Sequence, residues 1–122
     1  MTKIIPSEHV EQCKVISYCR IKKIPVFAIP NGTYLNGTRL QRAKQMNKLK
    51  AEGLSKGAPD LFIPIPFNKK HGLFIEMKRI KGSSTSAEQK AWIHDLNYSG
   101  YEAVICKGGA EAIKKIEEYF NA

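Results

Sequence analysis

The chain has 122 residues, of which 43% are apolar and 25% charged, the balance of an ordinary globular domain. That leaves too little chain for a two-domain enzyme, and disorder, a collagen-like repeat and a disulfide scaffold are poor fits to it. Lysine and arginine number 20 against 11 acidic residues, a net charge of +9 that favours a polyanionic partner, nucleic acid ahead of a membrane surface.

The first predicted element is an amphipathic helix from Glu8 to about Lys22, started by Ser7, with Val10, Cys13, Ile16 and Ile21 as its apolar positions. Val26 to Ile29 reads as a short buried strand, and the Asn-Gly pairs between Pro30 and Thr38 as a looped excursion. Arg39 to Glu52 is a second helix with Leu40, Ala43, Met46 and Leu49 turned inward and Gly53 at its C-terminal end. Asp60 to Ile65 and Leu73 to Lys78 form a hairpin closed by the basic loop from Pro66 to Gly72. Ser86-Ala87-Glu88-Gln89 opens a third helix as a capping box, and Gly100 ends it. Tyr101 to Cys106 is a last strand and Ala110 to Phe120 a closing helix. The order α-β-α-β-β-α-β-α describes one α/β domain over residues 1–122, a small mixed sheet flanked by helices.

Asp60 and Glu76 are equidistant from Asn68, so a symmetric antiparallel register sets them opposite each other. Glu76 and Lys78 share one face of their strand, while Ile75 and Met77 point into the core. Two opposed carboxylates repel unless a cation sits between them. Hard oxygen donors suit magnesium or manganese, an ion that serves phosphodiester hydrolysis, with the Lys78 ammonium orienting the nucleophile or stabilising developing charge.

These blocks resemble a known family. Pro30-Asn31-Gly32, Gly53 to Phe62 with its Gly57-Ala58-Pro59-Asp60 core, Leu73 to Arg79 with Glu76-Met77-Lys78, and Ser86 to Trp92 together are similar to the VRR-NUC group of the PD-(D/E)xK nuclease superfamily. The resemblance implies a restriction-endonuclease-like fold and a metal-dependent DNA endonuclease, of a type that stands alone in bacteriophages and bacteria. It further implies Asp60, Glu76 and the Met77 carbonyl as ligands of Mg2+ or Mn2+, Lys78 as a catalytic residue, and Gln89 as a glutamine that supports the site or touches DNA. An acidic residue on the first helix completes the set, Glu11 as first choice and Glu8 as second; they lie three apart on nearly one face, so spacing does not separate them. Standalone relatives imply a homodimer acting on branched DNA such as a Holliday junction.

The basic residues supply a phosphate-tracking surface: Arg39, Arg42, Lys44, Lys48, Lys50 and Lys56 on and after the second helix, then Lys69, Lys70, Arg79 and Lys81 around the hairpin, with Asn31 beside the site. Cys13, Cys19 and Cys106 lack metal-ligand spacing and read as buried small hydrophobes. Trp92 reads as core, and His9, His71 and His94 as structural or exposed. With no apolar leader or membrane span, the expected setting is the cytoplasm of a bacterial or phage-infected cell. The rival reading is a non-catalytic nucleic-acid-binding module of the same fold, which would lack one of Asp60, Glu76 or Lys78.

Overall fold

The computed structural model describes residues 4–30 and 35–121; the sequence candidate Asn31 lies outside them. Eight elements follow in the expected order: α1 (Glu8–Ile21), β1 (Phe27–Ala28), α2 (Arg39–Ala51), β2 (Leu61–Ile63), β3 (Leu73–Lys78), α3 (Ala87–Tyr98), β4 (Glu102–Lys107) and α4 (Gly109–Asn121). The sheet runs β1-β2-β3-β4, antiparallel across the first two pairings and parallel across the last.

The two faces of the sheet do different work because strand side chains alternate. Leu61, Ile63, Leu73, Ile75 and Met77 project from one face into the core, where Val15 and Cys19 of α1 and Ala112, Ile116 and Tyr119 of α4 meet them. Fully burying each of the larger aliphatic side chains contributes about 1.5–3 kcal/mol. On the opposite face a row of rings crosses the strands: Phe62 stacks on Phe74 at 4.1 Å between centroids, and Phe27 and Tyr101 meet this pair edge-on. Asn97 ties α3 to β4 by exchanging hydrogen bonds with the backbone of Ala103, its amide donating to the carbonyl and its oxygen accepting from the N–H.

Four expectations are corrected here. The inward face of α1 is Glu11, Val15 and Cys19, spaced by four, whereas Val10, Cys13 and Ile21 are exposed. Second, β1 is an exposed two-residue edge strand and not a buried one, because it pairs with β2 on one side only. No residue of α2 is buried, and Leu40 is 66% exposed. Apolar residues spaced strictly by three step back by about 60° each time on a 3.6-residue helix, so Leu40 and Leu49 end on opposite sides. Trp92 is also no core residue, being 37% exposed.

Glu11, the first-choice site acid, has a structural post instead. Its carboxylate is 1% exposed, accepts a hydrogen bond from the Gly109 N–H at the start of α4 (3.2 Å) and pairs with Lys14 (3.0 Å). Those donors hold its pKa below the ordinary carboxylate value, the Lys14 contact foremost. Because the folded pKa is depressed, the stabilisation is present at neutral pH and is lost as pH falls through the carboxylate range. Glu11→Gln therefore lowers the unfolding free energy at pH 7 by about 1–2 kcal/mol, most of it from the lost charge on the acceptor of the helix-start hydrogen bond, since Lys14 is half exposed and screened. In urea titrations the difference from wild type shrinks below about pH 4; a variant as stable as wild type at pH 7 contradicts this role.

Candidate active site

The hairpin register pairs Leu61 with Ile75, Phe62 with Phe74 and Ile63 with Leu73, and continuing it by one residue brings Asp60 opposite Glu76. Asp60 is held by its own hydrogen bond, Oδ2 accepting from the Met77 N–H at 2.7 Å. Glu8, in the first turn of α1, reaches the same end of the sheet. One carboxylate oxygen from each of Glu8, Asp60 and Glu76 lies within 4.8 Å of the others. The first-helix acid in this cluster is thus Glu8, the second choice, while Glu11 faces α4.

Glu76 is 2% exposed and Lys78 7%. The two are joined through Gln89: its Oε1 accepts from Lys78 Nζ at 2.8 Å, and its Nε2 donates to Glu76 Oε2 at 3.2 Å. The same Oε1 accepts from the Ser86 N–H (2.9 Å), and the Ser86 hydroxyl accepts from the Gln89 N–H (3.1 Å), which is the capping box. Capping and site support are one arrangement here, not alternatives. The box starts α3 where its third residue meets the buried Glu76 and Lys78 side chains. Gly57 brings this turn close: a Cβ there would stand 2.7 Å from the Glu88 carbonyl carbon and 2.8 Å from the Gln89 nitrogen, and its φ of +87° suits glycine.

These groups line an open cleft of about 720 Å³, with Lys56, Ser84 and Gln12 on its walls. Gln12 escaped the sequence reading; its position one helical turn after Glu8 is the signal that would have found it. Lys56 pairs loosely with Glu88 at 3.6 Å, leaving it available at the mouth. The α2 residues Arg39, Arg42, Lys44 and Lys48 are all exposed, as is Lys81. Lys69 and Lys70 are not brought to the cleft. They sit at the closed end of the hairpin, separated from Lys78 by the whole of six-residue β3, about 20 Å of strand. Arg79 is half-buried, with its Nε enclosed.

The electrostatics ask for a cation. Burial, the adjoining Asp60 carboxyl and the charge of Glu8 push the Glu76 pKa up to about 9 against the opposing pull of Lys78. Glu8 is raised too, by burial and then by Asp60. Glu76 Oε1 is buried with no hydrogen-bond partner. Three carboxylates with one such orphan fit a hard divalent ion of the magnesium or manganese kind better than zinc, whose sites are usually built on histidine and cysteine.

The VRR-NUC domain model matches residues 11–110 of this sequence. The chain belongs to the VRR-NUC family. Glu8 lies three residues before the matched stretch. A solved VRR_NUC domain protein superposes with a TM-score of 0.79 at 26% identity, covering 99% of this chain and 92% of that one. No curated protein matches. The four-stranded mixed sheet with its flanking helices is accordingly restriction-endonuclease-like, and a VRR-NUC domain implies a nuclease family that engages DNA and generally uses a divalent metal. Among the described residues, no helix is long and apolar enough to cross a membrane.

A folded pKa raised above the ordinary value has a definite sign. Between about pH 4.5 and 9 folded Glu76 keeps a proton that the unfolded chain has released, so the metal-free protein loses stability as pH rises through that window. Thermal unfolding in EDTA should show the midpoint falling from pH 6 to 9. Glu76→Gln, or millimolar Mn2+, flattens that slope; a wild-type midpoint that rises across the window contradicts the assignment.

Proposed function

We propose that this chain is a divalent-metal-dependent endonuclease that hydrolyses phosphodiester bonds in DNA, with Asp60, Glu76 and Glu8 as the acidic group and Lys78 as the catalytic cation. The observation that carries this reading is the convergence of three carboxylates on one buried lysine in a cleft open to solvent. Asp60, Glu76 and the Met77 carbonyl would hold the ion, Glu8 completing the ring. When bound, Mg2+ or Mn2+ supplies the positive charge that acidifies water and screens the phosphate. Lys78, fixed by Gln89, orients the attacking water and sets its charge against the phosphate oxygens as they become more negative. Gln89 also holds Glu76 in place, and Gln12 and Ser84 offer hydrogen bonds to the strand from the cleft walls.

The exposed cations of α2, with Lys56 and Lys81, support phosphate tracking toward this cleft. All three residues whose loss would mark a purely binding relative are present, which favours the enzyme over the non-catalytic module. We extend the reading to branched DNA, including a Holliday junction, cut by a symmetric homodimer. One small domain offers a single cleft, and two strands of a junction require a related pair. The cytoplasm of a bacterial or phage-infected cell is the setting in which such a substrate arises.

Purified protein incubated with plasmid, single-stranded, flap and four-way-junction DNA should cut in magnesium or manganese and not in EDTA, with the junction cut fastest. Asp60→Asn, Glu76→Ala and Lys78→Ala each lower the rate by about a hundredfold or more. Cleavage that survives both Glu76→Ala and Lys78→Ala, or that proceeds in EDTA, overturns the assignment.

A further inference from the structure

A second recess, of about 520 Å³, opens beside the carboxylate cleft, and the two share Ile29 and Pro30 as a common wall. Its remaining lining is largely apolar, with Leu49, Leu54, Pro59, Phe74, Trp92 and Leu96 forming most of it. The volume falls within the roughly 300–1,000 Å³ range of pockets that take small organic groups. Its residues are not remote from the chemistry. Pro59 precedes Asp60, Phe74 lies one pleat before Glu76 on the same face of β3, and Trp92 follows Gln89 by one helical turn. One pleat repeat is about 7 Å and three helical residues about 4.5 Å, so cleft and recess are separated by the scale of a single nucleotide.

Among the described residues, Glu52 is the one charged side chain in the lining of the recess, and cations stand outside it. Lys48 and Lys50 flank Leu49 and are exposed, and Lys56 stands on the neighbouring cleft wall. A recess lined by Trp92 and Phe74 that shares a wall with a cleft holding Lys56 suits a flat ring attached to a phosphate chain. The Trp92 side chain is partly open to solvent.

We propose that this recess receives one unpaired nucleobase of the DNA whose phosphate lies in the cleft, stacked against Trp92. The inference rests on the nuclease reading and narrows its substrate class to DNA carrying an unpaired nucleotide next to the phosphate to be cut. Extracting a base from intact duplex is costly, and least so at a branch, flap or mismatch. Stacking on an aromatic ring tolerates any base, so the recess selects for unpaired structure and not for sequence.

Trp92 is the sole tryptophan, so its fluorescence reports the recess directly. Wild-type protein in EDTA, where no strand is cut, is titrated with three fluorescein-labelled DNAs: a duplex with a short thymidine extension, the same duplex with abasic sites in that extension, and a fully paired duplex. Binding is followed separately by anisotropy. The proposal predicts saturable quenching of Trp92 by the thymidine extension and little by the other two. Trp92→Ala, followed by anisotropy, loses the preference for the thymidine extension over the abasic one, a preference of about tenfold in wild type. Equal quenching by all three DNAs, or none while anisotropy shows binding, overturns it. So does a Trp92 emission that changes with protein concentration in the absence of DNA, which would mean that a second copy of the chain covers the recess. The nuclease reading fails separately: base-dependent quenching without cleavage in magnesium leaves the recess assigned and removes the enzyme.

Discussion

Asp60 and Glu76 cannot relax away from each other, because the pairing of Leu61 with Ile75 and Phe62 with Phe74 is fixed on both faces of the hairpin. Ile75 and Met77 are fully buried on one side, and the Phe62–Phe74 stack closes the other. A slip by one residue would expose that aliphatic row and bury the charges in the core, so the packing that stabilises the sheet also enforces the electrostatic conflict at its open end. The chain lessens that conflict with the Met77 N–H on Asp60 and with Lys78 and Gln89 around Glu76, yet one oxygen of Glu76 remains without a partner. Such a buried acceptor is costly in isolation and explicable as one side of a cation site.

Helix α3 joins this conflict to the rest of the fold. Its capping box contributes about 1 kcal/mol in an ordinary helix, but here the same glutamine contacts both Lys78 and Glu76. Asn97 anchors the other end of α3 to β4, and the missing side chain of Gly57 lets the first turn approach the loop that carries Asp60. Loosening α3 would therefore disturb Lys78 and Glu76 before it disturbed the aliphatic core. Placing α1 and α4 on the other face keeps the bulk of hydrophobic burial away from the cleft, so the charged site and the main core do not compete for the same side chains.

The sequence is legible where a single period governs both local and tertiary structure. In the hairpin, alternation and a symmetric loop locate Asp60 against Glu76; in α3, the Ser-x-x-Gln spacing locates the cap. It is less legible where the third dimension breaks a tie. Glu8 and Glu11 differ by about 60° around α1, and only the position of α4, which presents the Gly109 N–H to Glu11, sends them to different tasks. For α2 the apolar residues suggested a buried face, but their strict spacing by three drifts around the helix, leaving a cationic rod with no buried residue. Trp92 was read by its chemistry as core; its place beside Phe74 and Leu96, in a recess the packing leaves open, could not be seen without the fold. Lys69 and Lys70 contributed to the apparent basic surface by proximity in sequence, whereas a hairpin sends its loop to the end opposite its open strands.

If Glu8, Asp60 and Glu76 form the proposed cation site, its occupancy requires Glu76 to surrender its proton. Calorimetric titration of the metal-free protein with Mn2+ at pH 7, repeated in two buffers of different ionisation enthalpy, reads both quantities at once. Binding should saturate with release of about one proton, consistent with a Glu76 pKa of about 9, and that release should be lost in Glu76→Gln. Binding that releases no proton, or that persists unchanged in Glu76→Gln, would contradict the proposed site.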